Sequence, residues 1–135
     1  MHESIADLPV AVDVQGVLIR MVEWGPTVIS VESFPAGTDS APFYRGLPDN
    51  RCQCPHWGYL IKGRARYRYA DHEEVVEAGS IYHLEPGHTC FFEEATELIE
   101  FSPAAQHRVT MENGARALAE MLATSGSAAA TRVSE

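Results

Sequence analysis

The chain has 135 residues, 45% of them hydrophobic and 21% charged, with a formal net charge of -9. That is the size and make-up of one globular domain, long enough to bury a core without disulfides. The acidic balance argues against a nucleic-acid partner, which needs clustered Lys and Arg, and no apolar run reaches the length of a membrane span.

Residues 1–7 lack the basic start and apolar segment of a secretory signal, so the expected compartment is the cytoplasm. Residues 14–22 and 27–34 are rich in Val and Ile and read as two strands. Trp24-Gly25-Pro26 between them reads as the turn of a hairpin. Residues 35–51 hold Pro35, Pro42, Pro48, Gly37 and Gly46 and read as a long loop. Loops of that length inside a domain are often functional, and Phe43, Tyr44 and Leu47 could pack it down as a lid.

Residues 56–62 form a strand that is apolar on both faces, with Trp57, Tyr59 and Ile61 on one of them. Residues 64–70 follow, and Arg64, Arg66 and Arg68 share one face of that strand. A solvated sheet face explains them; a dimer contact or an anionic ligand is the alternative. Further strands are expected at 74–78, 81–84, 90–92 and 97–101, the last with Leu98, Ile99 and Phe101 apolar. Residues 111–122 read as a helix, with Ala115, Leu118, Met121 and Leu122 at helical spacing. Seven to nine short strands and then one helix argue for an all-β sandwich or barrel.

Cysteine and histidine usage points to the chemistry. All three cysteines lie in two short blocks, 52–63 and 79–90, together with His56, His83 and His88. An odd cysteine count without an export signal argues against a disulfide framework. Cys54 and His56 stand two apart and can face one ion from one strand; Cys52 extends the row only if the chain stays regular before Pro55. Cys90 is a third donor, although buried free cysteine is commonly just packing. His88, in the 85–88 turn, reads as a ligand or a proton-transfer group. His2, His72 and His107 read as surface residues, and the sequence offers few inward-pointing carboxylates.

The block 50–103, about forty per cent of the chain, resembles the small single-domain cupins. The first cupin motif, G-x5-H-x-H-x3,4-E-x6-G, finds its last glycine at Gly63. The second, G-x5-P-x-G-x2-H-x3-N, finds its glycines at Gly79 and Gly87, within Ala78-Gly79-Ser80-Ile81-Tyr82 and Glu85-Pro86-Gly87-His88. On that alignment the ligand positions fall on Asn50, Cys52, His56 and Cys90. The resemblance implies a double-stranded β-helix, or jelly-roll, over residues 10–103. An N-terminal arm (1–9), a C-terminal helix (104–123) and a tail (124–135) complete the expected organisation.

The resemblance also implies a divalent metal ion, with His56, Cys54, Cys90 and Cys52 as its candidate ligands and His88 as the catalytic candidate. Thiolate and imidazole donors suit Zn²⁺, Cu⁺ or low-spin iron better than the metals of the usual cupin site, and zinc or iron is the expected ion. A small-molecule ligand at the barrel mouth and a homodimer are the expected partners. Whether the domain is an enzyme or a ligand-, metal- or thiol-redox-sensing module is open at this stage, as is a barrel whose Cys and His are only core.

Overall fold

The computed structural model describes the backbone of residues 1–134 and the side chains of residues 1–124. Ten strands among the described residues form two antiparallel sheets. The larger sheet runs β1 (Val10–Val14), β2 (Val17–Trp24), β3 (Thr27–Phe34), β10 (Thr96–Pro103), β5 (His56–Lys62) and β8 (Ile81–Leu84), in that spatial order. The smaller runs β4 (Thr38–Asp39), β9 (Thr89–Phe92), β6 (Arg64–Arg68) and β7 (Glu73–Glu77). Neighbours distant in sequence, such as β3 beside β10 and β5 beside β10, give the jelly-roll crossing.

Two strands escape the sequence pattern. The run 14–22 is broken by a turn at Gln15 and Gly16, both with positive φ, which separates β1 from β2. The loop 35–51 contributes β4 and the 3-10 turns Ala41–Tyr44 and Pro48–Asn50. It is therefore ordered by short local elements and is less irregular than its proline content suggests.

The two inner faces meet in a core of Leu60, Leu84 and Leu98 from the larger sheet and Ala65, Tyr67, Val76, Cys90 and Phe92 from the smaller. Phe34 stacks on Phe92 at 4.1 Å between ring centroids. Gly58 is required where it stands, because a Cβ there would overlap the Tyr82 ring. The interior is not apolar throughout. The inward positions of β10 are Thr96, Leu98, Glu100 and Ser102, and β3 adds Ser30 and Glu32 on the same side. One end of the barrel is thus packed with hydrocarbon and the other with polar groups.

Arg64, Arg66 and Arg68 are paired with Glu73, Glu77 and Glu93, which matches the solvated-face reading. The C-terminal helix α1 spans Ala104–Ser134, starting well before residue 111. Its first amide donates to the Pro26 carbonyl at 2.8 Å, which seats it on the hairpin turn. Its inward side carries Ala104, His107, Thr110, Ala117 and Leu118, while Ala115 and Leu122 face outward. Of the tail expected at 124–135, the side chains from 125 onward lie outside the described residues; the backbone stays helical to Ser134.

Candidate metal centre

Three donors converge at the polar end of the barrel. Cys52 Sγ and one ring nitrogen each of His56 and His88 lie within 4.8 Å of one another, and all three residues are buried. Cys52 precedes β5 and is held by an isolated bridge to His88, with its amide donating to the His88 carbonyl at 2.9 Å. Gly87 and His88 amides return hydrogen bonds to the Cys52 carbonyl. That reciprocal bridge brings together two segments that are 36 positions apart in the sequence. His56 opens β5 with its side chain inward.

Each imidazole is oriented by a second partner. His88 Nδ1 lies 2.7 Å from the Glu85 carbonyl, which can only accept, so Nδ1 carries the hydrogen and Nε2 holds a lone pair. Nε2 is buried with no hydrogen-bond partner. His56 Nδ1 lies 2.6 Å from Ser102 Oγ and 3.6 Å from Glu100 Oε2. The acidic neighbour favours hydrogen on Nδ1, so Nε2 turns its lone pair to Cys52 Sγ at 3.5 Å. A histidine whose far nitrogen is bonded to a carbonyl or carboxylate is the usual arrangement behind a metal ligand.

Burial shapes the titration of these groups. Desolvation lowers His56 and His88 to about 4 each, with a neighbouring histidine adding to the effect. Both are therefore neutral near pH 7, as ligands must be. Desolvation also pushes the Cys52 thiol up to about 11 and Cys54 up to about 12. Burial is the largest cause in both.

The other expected donors lie apart from this group. Cys54 is buried, but its Sγ faces the Pro55 carbonyl at 3.4 Å. Cys90 is buried between Ser40 and the core, and its amide takes the Ser40 hydroxyl as acceptor. Neither joins the three-donor cluster. His88, expected as a ligand or proton-transfer group at an open mouth, sits fully buried within the three-donor cluster. His83 is exposed and stacks on Trp57.

Three groups were missed in the sequence. His107 was expected at the surface, yet it is only 6% exposed and its ring stands edge-on to His56 at 6.3 Å. Desolvation by that burial lowers it to about 4. Glu32 and Glu100 form a carboxyl pair inside the barrel, correcting the view that few acids point inward. Burial raises both, Glu32 the more strongly, with the charge of Glu100 adding to the rise at Glu32. Ser30 Oγ donates to Glu32 at 2.7 Å and Tyr82 Oη to Glu100 at 2.8 Å. The period-2 pattern of β3 and β10 would have placed both acids inward had it been followed through the polar residues.

No protein-family model matches the chain, and no curated protein matches it. Solved structures do. A cupin from Shewanella frigidimarina matches with a TM-score of 0.56 at 12% identity, over 75% of this chain and 87% of its own. A protein of unknown function from Streptococcus pyogenes matches with a TM-score of 0.52 at 17% identity, over 67% of this chain and 76% of its own. An oxalate decarboxylase of Bacillus subtilis matches with a TM-score of 0.57 at 16% identity, over 75% of this chain. This chain spans only 28% of that enzyme's length. Likeness at this identity shows the fold, and the fold is that of the cupins.

Proposed function

We propose that this cupin-fold chain is a zinc protein, with Cys52, His56 and His88 holding the ion and a small molecule taken up as a further ligand. The observation that carries the reading is His88 Nε2: a deprotonated nitrogen, fully buried, without a partner, beside two further donors. Burying such an atom unpaired is unfavourable, and an ion would satisfy it. One thiolate and two imidazoles favour zinc over iron. Three protein ligands leave a further position, as in catalytic rather than structural zinc sites.

Such an ion supplies Lewis acidity to an oxygen of the bound molecule. The chain's own residues supply the rest. Ser102 and Glu100 hold the His56 ring with Nε2 toward Cys52, and the Glu85 carbonyl does the same for His88. Burial raises Glu32 and Glu100, and Glu100 Oε2 stands 3.6 Å from His56 Nδ1, so the pair offers a carboxyl group beside that ring. The thiol-sensor alternative is disfavoured, since thiols raised to about 11 and 12 are poor nucleophiles.

In this reading the protein is a cytoplasmic homodimer. Among the described residues no helix is long and apolar enough to cross a membrane. Trp57, Tyr59, Ile61, Ile81 and Phe101 are exposed together on the outer face of β5, β8 and β10 and offer a surface to a second copy.

Elemental analysis of protein purified without chelator tests the centre, beside Cys52→Ser and His88→Leu variants. About one zinc per chain, lost in both variants, is expected. Zinc retained in both, or no ion bound after reconstitution, would refute the assignment.

A further inference from the structure

We infer that α1 is part of the metal centre: Thr110 is a positioning residue that hydrogen-bonds the Cys52 sulfur, and Asn113 with Arg116 clamps it there. The inference rests on Cys52, His56 and His88 being the donors. Thr110 Oγ1 lies 3.6 Å from Cys52 Sγ. His107, one turn earlier on the same side of the helix, presents its ring edge-on to His56. The jelly-roll supplies the donors, and the helix sets Thr110 and His107 against them.

The helix is fixed on both sides of Thr110. Before it, the Ala104 amide donates to the Pro26 carbonyl. After it, Asn113 Nδ2 donates to the Phe43 and Arg45 carbonyls at 2.9 and 3.1 Å. Arg116 Nη2 donates to the Arg45 carbonyl at 2.9 Å and to Asn113 Oδ1 at 2.8 Å. Gly46 leaves room for this, since a Cβ there would stand 2.5 Å from Arg116 Nη2. The clamp joins α1 to the segment that leads into Cys52, so ligand and roof are tied to each other.

The chemistry follows from the donor. A thiolate has no hydrogen, so the Thr110 hydroxyl must donate to it. Hydrogen bonds to a ligating sulfur withdraw charge from it and tune both its bond to the metal and the metal's electronic levels. Removing the hydroxyl therefore leaves a more electron-rich sulfur.

Co²⁺ alone is the probe, because its sulfur-to-cobalt charge-transfer band reports sulfur charge directly. Thr110→Val is expected to move that band to lower energy and to weaken Co²⁺ binding about 10- to 100-fold. Thr110→Ser is expected to restore both. Asn113→Ala/Arg116→Ala is expected to speed Co²⁺ loss to a chelator at least tenfold. In metal-free Cys54→Ser/Cys90→Ser protein, the same clamp changes are expected to speed alkylation of Cys52 at least tenfold. A wild-type band in Thr110→Val, or alkylation unchanged by loosening the clamp, overturns the role of α1 while the donor set stands. Absence of any thiolate band in the wild-type protein overturns the donor set and the inference with it.

Discussion

Replacing His88 by Leu should make the metal-free protein more stable and the zinc-loaded protein relatively less so. The worth of the residue divides into two parts. Its Nε2 is buried and unpaired, a state that costs about 1–3 kcal/mol. Its Nδ1 bond to the Glu85 carbonyl returns about 0.5–1.5 kcal/mol. Glu85 is exposed, so water can replace that bond. Leu is close to His in size and removes both terms, for a net gain of roughly 1 kcal/mol. That corresponds to about 4 °C in midpoint for a domain of this length. With free zinc at about a thousand times Kd, wild type should gain about 4 kcal/mol and His88→Leu almost none. The order of stabilities therefore reverses between chelator and zinc, which urea titration in the two buffers would reveal. A variant less stable than wild type by the same margin in both buffers would refute the assignment of Nε2 as a waiting donor.

Other consequences can be measured in the same material. His107 sits near 4 in the fold against 6.5 when exposed, so its contribution is present above pH 6.5 and lost as pH falls toward 4. His107→Gln should therefore gain on wild type by about 2 kcal/mol between pH 7 and pH 5 in metal-free urea melts; a pH-independent difference would exclude this. With Cys52 raised from 9.0 to about 11, its thiolate fraction falls about a hundredfold, and the metal-free thiol should react with a disulfide reagent at pH 8 correspondingly slowly. Labelling at the rate of an exposed thiol would contradict that. Gly63 has φ +96 and faces the Ala95 carbonyl and Thr96, whereas Gly79 has φ +90 with open space around it. Gly63→Ala should cost roughly 2–5 kcal/mol and Gly79→Ala about 1–2, and equal chemical-denaturation midpoints would contradict the clash. Trp57→Ser should shift the sedimentation coefficient to that of a monomer; an unchanged value would rule out the outer sheet face as the dimer contact.

The fold was legible because its signals are local. Alternating Val and Ile in 27–34, glycines at 63, 79 and 87, and the Gly-Pro turn at 25–26 each report on a few neighbouring residues. The centre was legible only in part, because ligation depends on direction. Cys52, Cys54 and His56 are all buried, yet the break before β5 turns the Cys54 sulfur away toward Pro55. Nothing in their spacing separates that outcome from a regular row. Cys90 aligns with the second motif's histidine but faces the apolar core, while His88, two residues earlier, turns to Cys52 through the bridge that joins them. His107 was hidden for a different reason: the apolar periodicity covers only 111–122, so nothing in the first turns of the expected helix marked His107 as facing the barrel. Glu32 and Glu100 were hidden by their type, since an acid at an inward position usually argues against burial.

The clamp that ties α1 to the Arg45 segment has a consequence in the order of synthesis. Cys52, His56 and His88 all leave the ribosome before the helix that roofs them. At about 5–20 residues per second, the 46 positions from His88 to Ser134 take roughly 2–9 s to make. During that interval the donors can meet ions without passing beneath a helix. In the reading proposed above, an ion met in that interval is enclosed when the helix docks. Protein expressed in zinc-poor, cobalt-rich medium should keep its cobalt when zinc is added after purification. Prompt replacement by zinc would show instead that the roof opens freely in the finished protein.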